Sequence, residues 1–239
     1  MEKENNAEQA QKPQINGTAD EAQSVSKGPA PASHLFASLY SREELFPAAL
    51  AALIGAAAAI IIIFAGLSAE RQIEVVLECI ARFKGRHTRV IVDPVMGDNG
   101  SLYSSYTPEL CGKMRQLLPY ADLVTPNLTE ACQLLGISYP RGGLVTADEL
   151  VQMATEIATM GPRTVIITGL HAGENVRTYL YADGDGRSFD NPKVGRDRSG
   201  AGDAFAAIVA AALVRGIPIE EGAQRAADFI GHCLAYAEE

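Results

Sequence analysis

Arg198-Ser199-Gly200-Ala201-Gly202-Asp203-Ala204-Phe205 sets two glycines around a small residue and feeds them into an alanine-rich run, 204–215, of strong helix propensity. A turn of this kind leaves backbone N–H groups free at a helix start, where the helix dipole also favours negative charge. Asp203 falls where that helix begins, and a carboxylate beside a phosphate site can accept the proton of an attacking hydroxyl. An ordinary loop with an acidic cap fits the same four residues equally well, so the rest of the chain has to separate the two readings.

Working outward, 239 residues are enough to bury a sizeable core. The net charge of −9 argues against a nucleic-acid surface, which needs a basic face. A site for an anionic nucleotide would then have to be local, built from amides and a metal. Cys79, Cys111, Cys132 and Cys233 form no C-x-x-C pair and read as small residues of a helical core. His34, His87, His171 and His232 lack ligand spacing, and a cytoplasmic compartment is expected.

Residues 1–33 are polar and poor in large apolar side chains, so a disordered tail is expected there, with the folded domain over 34–239. Residues 45–69 carry no charge, which raises a membrane span as one possibility. Weakly hydrophobic alanines and the punctuation of Pro47, Gly55 and Gly66 favour a helix ending near Gly55, then a strand at Ile60-Ile61-Ile62-Ile63. Ser41-Arg42-Glu43-Glu44 would cap that helix.

Beyond this the pattern is regular. Helices are expected over 69–83, from Thr107-Pro108 to about 118, over 128–135, from Thr146 to about 160, and over 219–236. Strands are expected at 89–92, 123–125 and 164–168, with hairpin signals at Asp183-Gly184 and Asp185-Gly186. Alternating strands and helices predict an α/β fold, a parallel sheet with helices on both faces.

In such sheets ligands bind beyond the carboxyl ends of the strands. Four stretches fall there: Asp93-Pro-Val-Met-Gly-Asp-Asn-Gly100, Thr125-Pro-Asn-Leu-Thr-Glu130, Thr168-Gly169 and Gly200–Asp203. No Walker A or G-x-G-x-x-G pattern is present. Asp98 alone reads as a turn former. Asn127 and Glu130 are spaced as an N-cap with its N3 glutamate, and spacing alone favours that local role over a magnesium pair.

Together, Asp93–Gly100, Thr125–Glu130, Val165-Ile-Ile-Thr-Gly169 and Gly200–Asp203 resemble, in order and spacing, the motifs of pyridoxal/pyridoxamine kinases of the ribokinase-like superfamily. The D-P-V-M-G-D form is closer to the vitamin B6 kinases than to the hydroxymethylpyrimidine kinases. The resemblance runs from about residue 41 to the C-terminus and implies transfer of a phosphoryl group from ATP to the 5′-hydroxymethyl group of a B6 vitamer. It assigns Asp203 as base and Gly200, Ala201 and Gly202 as the hole for the transferring group. Asn127 and Glu130 would organise Mg2+. Asp93, Asp98, Tyr103, Thr125, Thr168 and Gly169 would line the nucleotide phosphates, and Val194 the adenine.

The resemblance further implies ATP and Mg2+ as cofactors, room for a monovalent cation such as K+, and a homodimer. The family's first strand and substrate loop have no counterpart before residue 41, so an N-terminally truncated version of the fold is expected. Phe64-Ala65-Gly66-Leu67-Ser68 sets Gly66 where the family places an aromatic residue. A non-catalytic fragment that binds nucleotide or a partner chain, and a kinase for hydroxymethylpyrimidine or a sugar, are the rival expectations.

Overall fold

The computed structural model describes residues 50–55, 58–64, 70–195 and 199–237. The expected tail, the cap at Ser41–Glu44 and the Ala65–Ser68 turn with Gly66 lie outside the described residues.

Seven strands form one sheet in the order β1 (Leu50–Gly55), β2 (Ala58–Phe64), β3 (Arg89–Asp93), β6 (Leu123–Val124), β7 (Thr164–Ala172), β8 (Asn175–Ala182), β9 (Asp185–Pro192). β4 (Gly97–Asp98) and β5 (Ser101–Leu102) pair separately. The sheet is parallel only through β2, β3, β6 and β7. Antiparallel β1 flanks it on one side and antiparallel β8 and β9 on the other, so the expectation of a parallel sheet holds for its centre alone.

The expected helix ending near Gly55 is also corrected. Leu50–Gly55 is a strand, paired residue for residue with Ala58–Ile63. Six consecutive pairs with a β-branched run satisfy the backbone groups of an alanine-rich segment whose own helix preference amounts to only a few tenths of a kcal/mol per residue, roughly. Among the described residues no helix is long and apolar enough to cross a membrane.

Period-two alternation explains the two cores. Val90, Val92, Val124, Val165 and Ile167 face one side, where α1 (Glu70–Phe83), α2 (Pro108–Met114), α3 (Leu128–Leu135) and α4 (Ala147–Thr159) cover them. Ile91, Leu123, Ile166 and Leu180 face the other, under α5 (Ala201–Val214) and α6 (Ile219–Tyr236). A helix row at i, i+3, i+7 buries Ile73, Val76 and Ile80 of α1. Cys111 and Cys132 belong to the first core and Cys79 is half-buried. Cys233 is exposed, because it faces outward from the last turns of α6, so the expected core role fails for that cysteine.

Helix ends follow their sequence signals. Thr107 caps α2 by accepting from the Leu110 amide, with Pro108 at the first position. α2 stops at Met114 rather than near 118, because a 3-10 helix, Arg115–Tyr120, takes over ahead of Pro119. Thr146 and Glu149 close a reciprocal capping box on α4.

Gly161 turns the chain from α4 into β7 at φ +145°, against the backbone of Leu118 and Pro119; an added Cβ would sit 2.5 Å from Pro119 Cα. Backbone cannot yield as a side-chain tip can. Gly161→Ala is therefore expected to destabilise the fold by about 2–3 kcal/mol in chemical denaturation. A midpoint unchanged from the parent chain would contradict this packing.

Candidate active site

Because β3, β6 and β7 run parallel, their carboxyl ends emerge on one side, and the expected motifs converge there. Asp93 ends β3, buried at 3% exposure. Its Oδ1 accepts from the Thr125 hydroxyl at 3.0 Å, and Thr125 itself leaves β6 with its amide donating to Val92. Asp93 Oδ2 is buried and has no hydrogen-bond partner. It faces the first turn of α5, where a Cβ on Gly202 would stand 3.9 Å away.

Gly200 starts that helix in the left-handed region, φ +91°, and no side chain caps it. Its carbonyl accepts the first helical bond, from Ala204. Ala201, Gly202 and Asp203 therefore occupy the turn whose N–H groups find no partner inside a helix. Gly202 and Asp203 are exposed. This geometry can hold an anion, with a solvent-accessible carboxylate beside it.

Asn127 and Glu130 adopt the local arrangement that their spacing favours. Asn127 Oδ1 accepts from the Glu130 amide at 2.9 Å, and Glu130 Oε2 accepts from the Asn127 amide at 2.8 Å. The pair also reaches beyond α3. Glu130 Oε1 accepts from the Met96 amide at 3.1 Å, and Asn127 Nδ2 donates to the Gly97 carbonyl at 2.8 Å. The cap of one helix thus pins the loop that leaves β3.

That loop folds back as a two-residue hairpin, Asn99-Gly100, both with positive φ, between the pairs Gly97–Leu102 and Asp98–Ser101. Asp98 accepts from the backbone and side-chain nitrogens of Asn99, a turn-forming role. Tyr103 is held by its amide to the Met96 carbonyl and remains half-exposed. At β7 the ladder to β8 slips between Ile167 and Leu170, which lifts Thr168 and Gly169 out of register. Thr168 donates its amide to the Pro126 carbonyl and bridges Asn127, so the β6 and β7 exits are tied together. Val194 is half-buried after β9, and no described hydrogen bond ties it to this cluster.

Electrostatics mark the same place. Burial pushes the Asp93 carboxyl up to about 7, against the Thr125 hydrogen bond, and the charge of Asp203 adds to the rise. Glu130 is displaced well upward, by burial first and by Asp93 second, against its two amide bonds. The Tyr103 phenol is raised by burial first and then by the charges of Asp98, Glu130, Asp203 and Asp93. An acid cluster with one buried, unpartnered oxygen is suited to meet a cation. Among the described residues no three His, Cys, Asp or Glu side chains form a protein-only metal cage. Magnesium in nucleotide sites needs no such cage, since one or two carboxylates with phosphates and water suffice. The donor set fits it.

Two contributors escape motif reading. Thr129 Oγ1 accepts from the Gly100 amide at 2.8 Å, and the Met96 amide serves Glu130. Both lie inside the quoted stretches 93–100 and 125–130, where the motif reading gives neither a role of its own.

Between about pH 4 and 7 folded Asp93 keeps a proton that the unfolded chain has lost, so stability falls as pH rises through this window. Glu130 acts in the same direction. Asp190, held low by Arg177, acts oppositely and only at more acid pH. The urea midpoint should therefore fall between pH 5 and pH 8, and Asp93→Asn should flatten that fall by about 1–3 kcal/mol. A midpoint rising over the interval would overturn the assignment.

Residues 62–239 match the phosphomethylpyrimidine kinase family model, so the match begins at residue 62 rather than at the 41 expected from the motifs. A Staphylococcus aureus hydroxymethylpyrimidine/phosphomethylpyrimidine kinase is 29% identical over 68% of this chain and 59% of its own length. The chain thus spans about three-fifths of such a relative.

A Bacteroides thetaiotaomicron crystal structure described as a putative phosphomethylpyrimidine kinase in a form with pyridoxal is 32% identical. It has a TM-score of 0.63 over 66% of this chain and 57% of that one. The S. aureus pyridoxal kinase in complex with AMP-PCP is 28% identical, with a TM-score of 0.59 over 70% and 59%. The chain belongs to the phosphomethylpyrimidine kinase family, with the α/β fold of the pyridoxal kinases.

Proposed function

We propose that the chain transfers a phosphoryl group from ATP to the hydroxymethyl group of a small heteroaromatic alcohol, with a B6 vitamer such as pyridoxal as first choice. The observation that carries this reading is the unpartnered Asp93 oxygen facing a glycine-rich helix start that presents the exposed Asp203. AMP-PCP in one structural neighbour and pyridoxal in another support both halves of the reaction. Hydroxymethylpyrimidine is the rival substrate, named for a relative of similar identity.

In this reading Asp203 takes the alcohol proton as the oxygen bonds to the γ-phosphorus and the bond to the β-phosphate oxygen breaks. The amides of the Gly200–Asp203 turn receive the charge on the transferring group, already oriented before reaction. Bound magnesium, held by Asp93, Asn127 and Glu130, would offset the negative charge of the phosphates. Asp93 would hold it directly, while Asn127 and Glu130, engaged with each other and with the β3 loop, would act through its water. Asp98, Tyr103, Thr125, Thr168 and Gly169 would border the phosphates, and Val194 the base.

The deciding measurement is growth of pyridoxal 5′-phosphate absorbance from pyridoxal, ATP and magnesium, beside ADP release with hydroxymethylpyrimidine. Asp203→Asn should lower turnover by about 10²- to 10⁴-fold and leave nucleotide affinity nearly unchanged. Turnover on hydroxymethylpyrimidine alone would move the substrate to that ring. Nucleotide bound with no turnover on either alcohol would replace the enzyme reading with a binding role.

A further inference from the structure

Tyr139 lies outside every motif of the site, yet its ring spans two glycines that both need positive φ. A Cβ on Gly100, φ +80°, would stand 2.8–3.2 Å from Cδ1, Cγ and Cε1 of the ring. A Cβ on Gly143, φ +68°, would stand 2.7 Å from its hydroxyl. Tyr139 also packs against the first core. Gly100 is the turn of the Asp98–Ser101 hairpin, and its amide is held by Thr129 of α3. The hairpin tip is therefore held twice, by a hydrogen bond at its N–H and by the Tyr139 ring, which fills the space a side chain at Gly100 would need.

Asp98 and Tyr103 flank this tip, and the Tyr139 phenol is raised by burial first and by the charge of Asp98 second. Without the ring, the base of the hairpin stays pinned at Met96 and Gly97, but its exposed tip is left to the single Gly100–Thr129 hydrogen bond, and one such bond is worth little net stability. We propose that Tyr139 is a positioning residue: its ring fixes the Asn99-Gly100 hairpin and, through it, the placement of Asp98 and Tyr103 for nucleotide phosphates. The role rests on the kinase reading above.

The test uses the full chain with Tyr139→Leu and Tyr139→Phe, with Thr129→Val as a second route to the same tip. Amide hydrogen exchange at Gly100 should accelerate about tenfold in Tyr139→Leu and in Thr129→Val, while amides of α4 stay protected. AMP-PCP with magnesium should bind about five- to tenfold more weakly to both. Tyr139→Phe keeps the ring and should restore both readouts. Gly186→Ala, which crowds the remote Tyr179 ring, should lower thermal stability without weakening nucleotide binding, separating positioning from general loss of fold. Unchanged exchange at Gly100, unchanged affinity in Tyr139→Leu, or equal weakening by Gly186→Ala would overturn the role. Failure of the unaltered chain to bind AMP-PCP would overturn the kinase reading itself, and the role with it, whatever the exchange shows.

Discussion

The fully buried Glu130 carboxylate, clasped by the amides of Met96 and Asn127, is the joint on which the site depends. A carboxylate taken out of water is costly unless its oxygens are met by donors. Here the donors come from two segments more than thirty residues apart, so the group is satisfied only when the β3 loop and the start of α3 lie together. Asn127 repeats the logic with Gly97, and Thr129 with Gly100. Three consecutive polar contacts stitch one loop to one helix end, which is why the hairpin after β3 has a defined place.

Among the described residues, acidic charge gathers at this joint without an ion-paired base. The described ion pairs lie elsewhere, at exposed or half-exposed positions, and none of them includes Asp93, Glu130 or Asp203. A structure that buries carboxyl groups and leaves one oxygen unpartnered carries a penalty that only a proton or a cation relieves. Such frustration is common where a protein is shaped for a ligand rather than for its own stability.

Much of this was readable in the residues. Caps at Thr107, Asn127 and Thr146 are local devices whose spacing is visible in a line of text, and the corresponding helices begin where their caps predict. Three of the motifs fall where β3 and β6 end and where the β7 ladder slips, which their β-branched runs mark, and the fourth opens α5, which its glycines and the alanine-rich run mark. Leu50–Gly55 misled because alanine has a strong local preference for helix, whereas its pairing with β2 is a tertiary fact. The pairing of β8 with β9 was signalled by the turn Asp183-Gly184, whereas no turn reading announced the pairing of β8 with β7, and Asp185-Gly186 proves to be the start of β9 rather than a second turn. Thr129, Met96 and Tyr139 were hidden for a different reason. Their contacts run to residues far along the chain, and no spacing pattern encodes a contact of that kind.

The Met96 contact carries an evolutionary consequence. Its contribution to Glu130 comes from the peptide nitrogen, and the Gly100 and Asn127 donors are peptide nitrogens as well. Every residue except proline supplies the same donor. Drift at position 96 is thus filtered by volume, since the side chain is fully enclosed, and not by chemical type. At position 130 the filter is reversed: a shorter acid could not span both amides, and an amide side chain would bring a donor where an acceptor is needed. Variation among descendants of this chain should therefore differ from position to position across the joint: volume filters position 96, close backbone contact and positive φ keep glycine at 97 and 100 respectively, and acceptor chemistry fixes position 130.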